Sequence, residues 1–401
     1  MLNYNAPIDG TESSIDHGGG SEQLAVFKAL RKAITDSEFP RHFSQLGDVI
    51  DQPKHFGKTI KVRHYIPLLD DRNVNDQGLD ATGKKIADGN LWGSSRDIGT
   101  ISGKLPELNE NGGMVNQVGF SRPIREGTLI PLGFFYSFSD EPINFHPDPE
   151  LMRHLARETI IGAKKICESV IQRDLISAAG VTMYASATAT AVAEMGEDDI
   201  ADYDDLVKLD EILTSNRLSR TTKVNVGSLN TDTRVLPAAR VAYIPPEVKP
   251  ILRKMKDSHN APAFIEYQHY ADKSTILQGE IGSVDSFRFI EVIDMLHHVG
   301  GGKVVTDGAR VRTATGKDSK EHANVYPILV VGSESFSAIS FMGRADGLPK
   351  FTIITKMPGK ETAHLGHDVY GETGFSSIKW YSGTLIKRPE WIAVLWTVAP
   401  L

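Results

Sequence analysis

A stretch of 59 residues, Leu69–Gly127, constrains this chain more than any motif in it, because it carries ten glycines and no regular apolar period. A compact domain rarely contains so long a loop, and loops of this length are usually functional or disordered. Ordering the backbone costs roughly 1–2 kcal/mol per residue, which a few scattered apolar side chains do not offset. We therefore expect a neighbouring chain to supply the contacts that order this segment.

The segments on either side of this stretch are predicted to be strands, and the N-terminal part of the chain is predicted to be an arm. Residues 59–68 alternate between apolar and polar side chains, which predicts a strand with one wet face, and Thr128–Phe138 predicts a second strand. Residues 1–20 are rich in Gly, Ser, Asn and Asp, as in a flexible tail. An amphipathic helix is predicted next, with Phe27 on its apolar face and Arg31 largely off it. It could dock on a partner or pack on the core, and both alternatives stay open.

The longest helical pattern covers His146–Gly180, with apolar residues at a period near 3.6 and Pro149 near its start. Such a helix is a rod along which other elements pack, and the rest of the chain predicts an α+β fold. A second helix is predicted at Tyr203–Leu218, with Leu206, Leu209, Ile212 and Leu213 facing inward. Strands are predicted at Val241–Ile244, Phe287–Ile293, Val325–Val331, Phe351–Thr355, Phe375–Ile386 and Trp391–Ala399, the last apolar on both faces.

Composition excludes several classes of protein. The 401 residues carry 44 basic and 51 acidic side chains, a net charge of −7, and no basic stripe of the kind that reads DNA sequence. The one cysteine, Cys167, can form neither an internal disulfide nor a Cys-rich zinc site. The longest apolar run, Trp391–Ala399, is far shorter than the ~20 residues of a membrane-spanning helix. We see no secretory signal and expect folding in a cytoplasm.

Three patterns resemble binding sites without having the required context. Gly78–Lys85 matches the spacing of a phosphate-cradling loop, but neither its flanks nor its last residue fits. Seven acids lie within Glu194–Asp205, where they suit the start of a helix better than a calcium loop. His297 and His298 are adjacent, so on a strand they would point to opposite faces and could not easily share one metal.

Two further patterns could suggest a nucleophile. Ser376–Lys379 spells SxxK, but in a predicted strand rather than at the start of a helix. Cys167 lies on the apolar side of the long helix, where a buried thiol is normally inert. We therefore expect no catalytic, cofactor or metal site, and no enzyme.

The order of these parts resembles the HK97 fold of tailed-phage major capsid proteins. Segments at Val241–Met255, Gly279–Val292 and His367–Leu395 resemble the major capsid family of enquatrovirus-type podophages (Schitoviridae). The likeness covers roughly Pro142 to the C-terminus. It implies an N-terminal arm (1–58), an E-loop hairpin with a long insertion (59–140), a P-domain with a spine helix (141–200), an A-domain (201–365) and return strands of the P-domain (366–401).

The resemblance further implies a shell subunit that self-assembles as hexamers and pentamers into an icosahedral head around double-stranded DNA. Its expected partners are copies of itself, other head proteins such as the portal and decoration proteins, and packaged DNA, bound without sequence preference. No membrane partner is expected. The protein would be made and assembled in the host cytoplasm and end in the virion.

Aromatic residues and arginines are favoured at interface cores, which makes a few side chains candidate contacts between subunits. They are Trp92, Phe120 and Arg122 in the loop and Phe27 and Arg31 in the arm. Local packing is the alternative for the three loop residues. For the whole chain, the alternatives are an encapsulin-like nanocompartment shell and a metal-dependent hydrolase using His364 and His367.

Overall fold

The computed structural model describes residues 42–68, 120, 122–141, 151–225, 233–236, 239–270, 276–277, 279–305, 310–316, 318–341, 349–359 and 368–401. Its α-helices are α1 (Leu151–Ser177), α2 (Tyr203–Ser215) and α3 (Lys249–Lys254). Its strands are β1 (Asp48–Gln52), β2 (Thr59–Arg63), β3 (Ile124–Thr128), β4 (Ile130–Ser139), β5 (Val181–Tyr184), β6 (Thr222–Asn225), β7 (Thr233–Leu236), β8 (Arg240–Ile244), β9 (Ile265–Glu266), β10 (Glu280–Val284), β11 (Phe287–Glu291), β12 (Thr313–Thr315), β13 (Glu321–Ala323), β14 (Val325–Val331), β15 (Phe336–Phe341), β16 (Thr352–Lys356), β17 (Thr373–Ile386) and β18 (Ile392–Val398).

The chain divides into two compact units. The smaller one comprises the described residues of Thr59–Gly127, in which β2 and β3 form a two-stranded sheet. An ion pair joins Lys61 Nζ and Glu126 Oε1 across these strands at 2.7 Å, between two half-exposed side chains. The larger unit comprises the other described residues and contains the hydrophobic core.

The boundaries of the strands near the smaller unit differ from the prediction. The strand predicted over 59–68 ends at Arg63. The strand predicted at Thr128–Phe138 is two strands, β3 and β4, which are interrupted at Leu129. At the interruption, Leu129 is 3 % exposed and its N–H donates to the carbonyl of Lys58, the residue before β2.

A mixed seven-stranded sheet forms the centre of the larger unit, in the order β5-β18-β14-β8-β11-β10-β9. All seven residues of β18 are buried, between β5, which is parallel to it, and β14, which is antiparallel. Alternate β18 residues enter two core clusters: Val394 and Trp396 lie in one, and Ala393 and Leu395 lie in the other. The predicted covered strand is therefore confirmed, and both faces of this sheet are packed.

The long helix α1 packs on two sheets. Ile171 and Leu175 belong to the core on one face of the seven-stranded sheet, whereas Ala163 and Cys167 pack with Trp380 of β17. At about 1.5 Å per residue its 27 residues span roughly 40 Å. The predicted rod is therefore present, with bounds inside the predicted range.

Helix α2 covers the other face of the seven-stranded sheet. A capping box at Asp202 and Asp205 starts it, and Leu206, Leu209 and Leu213 are buried in the second core cluster. The inward placement predicted for Ile212 is wrong, because its side chain is 37 % exposed. At 100° per residue, Ile212 lies at the margin of the stripe that the three leucines define.

A second sheet has the order β1-β15-β17-β16, with β4 also paired to β17. The long strand β17 pairs with β4 over ten positions and with β16 over five. We call β4, β17 and β16 the ribbon. Helix α1 covers one of its faces, where Ile378 and Trp380 are each 1 % exposed.

Candidate assembly surfaces

The side chains that suggested nucleophiles do not form a catalytic site. Cys167 is buried in α1, and burial, followed by the nearby Glu168 carboxylate, raises the pKa of its thiol to about 12. Ser376 is buried on the helix-covered face of the ribbon and is hydrogen-bonded to the Thr355 hydroxyl at 2.9 Å. Lys379 is exposed and lies three positions along the strand, on the opposite face. The Ser376–Lys379 pattern therefore brings no base to its serine.

The acidic run caps backbone groups, as predicted. Glu194 accepts hydrogen bonds from the N–H and hydroxyl of Thr190 at 2.7 and 3.0 Å. Asp199 accepts one from the N–H of Gly196 at 2.7 Å, and Asp205 accepts one from the N–H of Asp202 at the start of α2. These carboxylates stabilise turns and a helix end, and their oxygens do not converge on a common point.

The adjacent histidines stack on different rings. His297 lies 4.8 Å from the Tyr326 ring, and His298 lies 4.8 Å from the Trp396 ring. Both follow β11 outside the strands given above: His297 lies in a loop, and His298 forms an isolated antiparallel bridge with Val325. Among the described residues, no three His, Cys, Asp or Glu side chains are placed to hold a metal ion. Gly78–Lys85, His364 and His367 lie outside the described residues.

No helix in the described part of the chain combines the length and the apolar composition needed to cross a lipid bilayer.

Two of the five predicted contact residues are described, both in the smaller unit. Phe120 is 65 % exposed, and Arg122 is exposed. A hydrogen bond from Arg122 lowers the pKa of the Tyr65 phenol, so this guanidinium has a local partner. Trp92, Phe27 and Arg31 lie outside the described residues.

The smaller unit exposes more apolar surface than the predicted residues alone. Tyr65, Leu68 and Ile124 are 63 %, 54 % and 53 % exposed. An isolated two-stranded sheet is marginally stable in water. Exposed apolar side chains on such a sheet are typical of a surface that a partner covers.

The second face of the ribbon, opposite α1, is also apolar and exposed. Phe135 of β4 and Ile354 of β16 are both opposite Ser377 of β17 in the pairing register, so the three side chains form one row across the strands. Phe135 is 72 % exposed and Ile354 is 51 % exposed. Lys356 and Lys379 lie on the same face, and the Lys379 ammonium is 5.3 Å from the centre of the Tyr381 ring. We call this surface the exposed face of the ribbon.

Sequence reasoning did not identify the exposed face of the ribbon. The sequence does contain one indication of an apolar second face, the pair Ile353 and Ile354. Adjacent residues on a strand point to opposite faces, so two adjacent isoleucines make both faces apolar. Which face α1 covers depends on tertiary packing, which the strand itself does not encode.

The comparisons with known proteins agree with one another. The chain is 44 % identical over 398 residues to the major capsid protein of Pseudomonas phage KPP21, and the match covers 99 % of this chain and 97 % of that protein. The capsid of Ralstonia phage GP4 has a similar structure, with a TM-score of 0.52 and 10 % identity over 93 % of this chain and 94 % of that one. The Cyanophage Pam1 capsid asymmetric unit gives a TM-score of 0.52 and 11 % identity, over 92 % and 95 %. No family model matches the chain.

Proposed function

The chain belongs to the major capsid proteins of tailed phages, and we propose that its copies assemble as hexamers and pentamers into an icosahedral head that encloses double-stranded DNA. The observation that carries this proposal is the 44 % identity over nearly the whole chain. The fold is α+β and HK97-like, in agreement with the two solved capsids. Its place is therefore the virion, as a structural component of the capsid. Membership of the enquatrovirus-type group stays a prediction.

We propose the following division of labour within the chain. Residues 1–58 form the arm, 59–140 the E-loop, 141–200 the P-domain with α1 as its spine helix, 201–365 the A-domain, and 366–401 the returning strands. Two features support it: the compact unit that starts at Thr59, and the packing of α1 on β17. In this proposal the P-domain is the rigid plate, and the arm and the E-loop contact neighbouring subunits.

The partners follow from the same proposal. Copies of the chain contact one another, and the portal and decoration proteins join the same shell. The net charge of −7 supports an inner surface that is not strongly basic, along which DNA can slide during filling. We further propose that the protein performs no catalysis and that it is made and assembled in the host cytoplasm.

Electron microscopy of the protein expressed in bacteria tests the proposal. Closed shells of regular size are expected, whereas a chain that stays monomeric at every protein concentration would overturn it. Purified particles that hold an enzyme instead of DNA would favour the encapsulin-like alternative. A stoichiometric metal in a monomeric protein would favour the hydrolase.

A further inference from the structure

The imidazole of His322, in β13, has a hydrogen-bond acceptor at each of its two ring nitrogens. Nδ1 lies 2.9 Å from the carbonyl oxygen of Gly302, and Nε2 lies 2.9 Å from Oδ1 of Asp318. Neither a carbonyl oxygen nor an ionised carboxylate has a proton to donate. A neutral imidazole carries one N–H and can serve only one of these acceptors, so the geometry requires the doubly protonated, cationic ring.

The electrostatics of the pair agree with this protonation state. The hydrogen bond to Gly302, followed by that to Asp318, raises the pKa of His322 above its ordinary value of 6.5. The hydrogen bond from His322 is also the largest cause that lowers the pKa of the Asp318 carboxyl, to which the N–H of Lys320 donates at 3.3 Å. Both shifts favour the charged forms, as expected for two opposite charges in contact.

Two glycines leave the room that this arrangement needs. A Cβ on Gly316 would lie 2.6 Å from Cδ2 of His322, so a larger residue there would push the ring away. A Cβ on Gly302 would lie 2.7 Å from the carbonyl oxygen of Met195 and 3.0 Å from that of Ala323. The glycine lets its segment lie close against β13, with its carbonyl oxygen within reach of the imidazole.

The imidazole sits where a short segment is paired with β13. Residues 300–305 run antiparallel to this strand: an isolated bridge pairs Val304 with His322, and the N–H of Gly302 donates to the carbonyl of Ala323 at 3.0 Å. We call this pairing the ladder. So short a ladder has few backbone hydrogen bonds, and a charge-assisted side-chain bond across it is a large part of what holds it closed.

The other charged groups around the imidazole have different effects or partners. The ammonium of Lys320 lowers the pKa of His322 slightly, as the last of its causes. On the segment 300–305, the charge of Lys303 acts on Glu194. On β13, the carboxylate of Glu321 accepts a hydrogen bond from a threonine hydroxyl of β12 at 2.9 Å. Lys317 lies outside the described residues.

We propose that His322 is a proton-operated clamp, in which the imidazolium holds the ladder closed and loss of its proton opens it. A neutral ring leaves either the carbonyl of Gly302 or the carboxylate of Asp318 without its donor. Because the pKa is raised in the folded protein, the stabilising effect is fully present below pH 6.5 and is lost as the pH rises through the folded value. The clamp belongs to the single subunit and does not depend on the proposed function.

Hydrogen exchange measured by mass spectrometry on the full-length protein tests the clamp. Between about pH 6 and pH 9, after correction for the intrinsic pH dependence of exchange, peptides covering 300–305 should lose protection by about two- to fivefold, the size expected of a partly exposed ion pair. His322→Gln should show the low protection at every pH. His259→Gln, which changes an exposed histidine elsewhere, is the matched control and should keep the wild-type step. A step that is absent from the wild type, or unchanged in His322→Gln, overturns the proposal.

Removal of the opposite charge tests the direction of the coupling. Asp318→Asn keeps the size of the side chain and an acceptor oxygen, but it removes the charge that favours the imidazolium. The midpoint of the step should therefore move to lower pH by about half a unit or more. Asp257→Asn, in a loop where the carboxylate accepts only backbone N–H groups among its described contacts, is the matched control and should leave the midpoint in place. An unmoved midpoint in Asp318→Asn contradicts the clamp.

Nuclear magnetic resonance of the wild type gives a readout that needs no destabilising variant. With the histidine rings labelled with ¹⁵N, one histidine should keep both nitrogens protonated to higher pH than the exposed histidines do. Its midpoint should lie above 6.5, and the same signal should shift in Asp318→Asn, which assigns it to His322. If every histidine ring becomes neutral at or below that pH, the clamp is refuted.

Discussion

The backbone N–H of Leu129 donates to the carbonyl oxygen of Lys58 at 2.9 Å. Both residues belong to the larger unit, so the points at which its chain is interrupted by the smaller unit are adjacent. The 69 residues between Lys58 and Thr128 therefore leave and re-enter the larger unit at nearly one point. An insertion attached in this way can be removed without separating the strands that flank it.

Replacing residues 59–127 with a linker of about four glycines should leave the larger unit folded and abolish shells. The core clusters of the described residues are formed by residues outside 59–127, whereas the exposed apolar residues described within 59–127 are the contacts that the proposed E-loop offers a neighbour. Circular dichroism and thermal melting check the fold, and electron microscopy checks assembly. Normal particles from the deletion would refute the role of the segment in assembly.

Loss of the buried Arg240 guanidinium should destabilise the protein severely. Arg240 is 1 % exposed and forms an ion pair with Asp210 of α2, which also accepts a hydrogen bond from Ser286. Arg240→Met leaves that carboxylate buried with less compensation and is expected to lower the free energy of unfolding by about 3–5 kcal/mol. Arg253→Met is the matched control: it breaks a more exposed pair with Glu266 and should cost about 1 kcal/mol or less.

Urea unfolding at neutral pH measures both variants. Similar decreases in the free energy of unfolding for Arg240→Met and Arg253→Met would contradict the expectation that the buried ion pair matters more to stability than the exposed one. The double variant Arg240→Met/Asp210→Leu should regain part of the stability, because it removes both charges from the core together.

The central strands were predictable because burial on both faces leaves a local signature. Val325–Val331 matches β14 at both ends, and the predicted Trp391–Ala399 differs from β18 by one residue at each end. By contrast, the predicted strand Val241–Ile244 omitted Arg240, which is the first residue of β8. Charged residues are rarely fully buried, so an arginine in the sequence indicates the end of a buried strand. Its partner Asp210 lies 30 residues earlier on another element, so no local pattern shows that the charge is compensated.

The candidate surfaces were predictable only in part. Phe120 is exposed, as its candidacy as a contact requires. The turn at Asp368–Thr373 has a local sequence signal, because the Asp368 carboxylate accepts hydrogen bonds from the N–H groups of the residues four and five positions later. The exposure of Tyr370 and the coverage of a single ribbon face depend on where β16, β17 and α1 meet, and that is tertiary information.

Stability should fall on mild acidification, and His42 should account for part of the loss. Burial lowers the pKa of His42 from its ordinary value of 6.5, so the unfolded chain takes up a proton there before the folded chain does. The stabilising effect is fully present above pH 6.5 and is lost as the pH falls towards the folded pKa. Glu168 and Asp294 line the same small cavity as His42; the Glu168 carboxylate accepts a hydrogen bond from the N–H of Phe43, and Asp294 forms an ion pair with Lys165.

The measurement is the urea midpoint at pH 7.5 and pH 5.5 for the wild type and for His42→Gln. The wild type should lose more stability between the two pH values than the variant does. Burial also lowers the pKa of His298, but that residue is present in both proteins and cancels from the comparison. If the wild type and His42→Gln lose equal stability between pH 7.5 and pH 5.5, groups other than His42 cause the acid sensitivity.

The thiol of Cys167 should be unreactive in the folded protein and reactive in the unfolded one. It is 5 % exposed, and a pKa raised from 9.0 to about 12 leaves roughly a thousandfold less thiolate near pH 8. Because this is the one cysteine of the chain, a thiol reagent reports on a single position, between α1 and Trp380. Labelling with a maleimide at pH 8 should therefore be slow for folded protein and for shells, and fast in urea, with Cys167→Ala as the unreactive blank. Rapid labelling of intact shells would show that α1 separates from the ribbon on assembly.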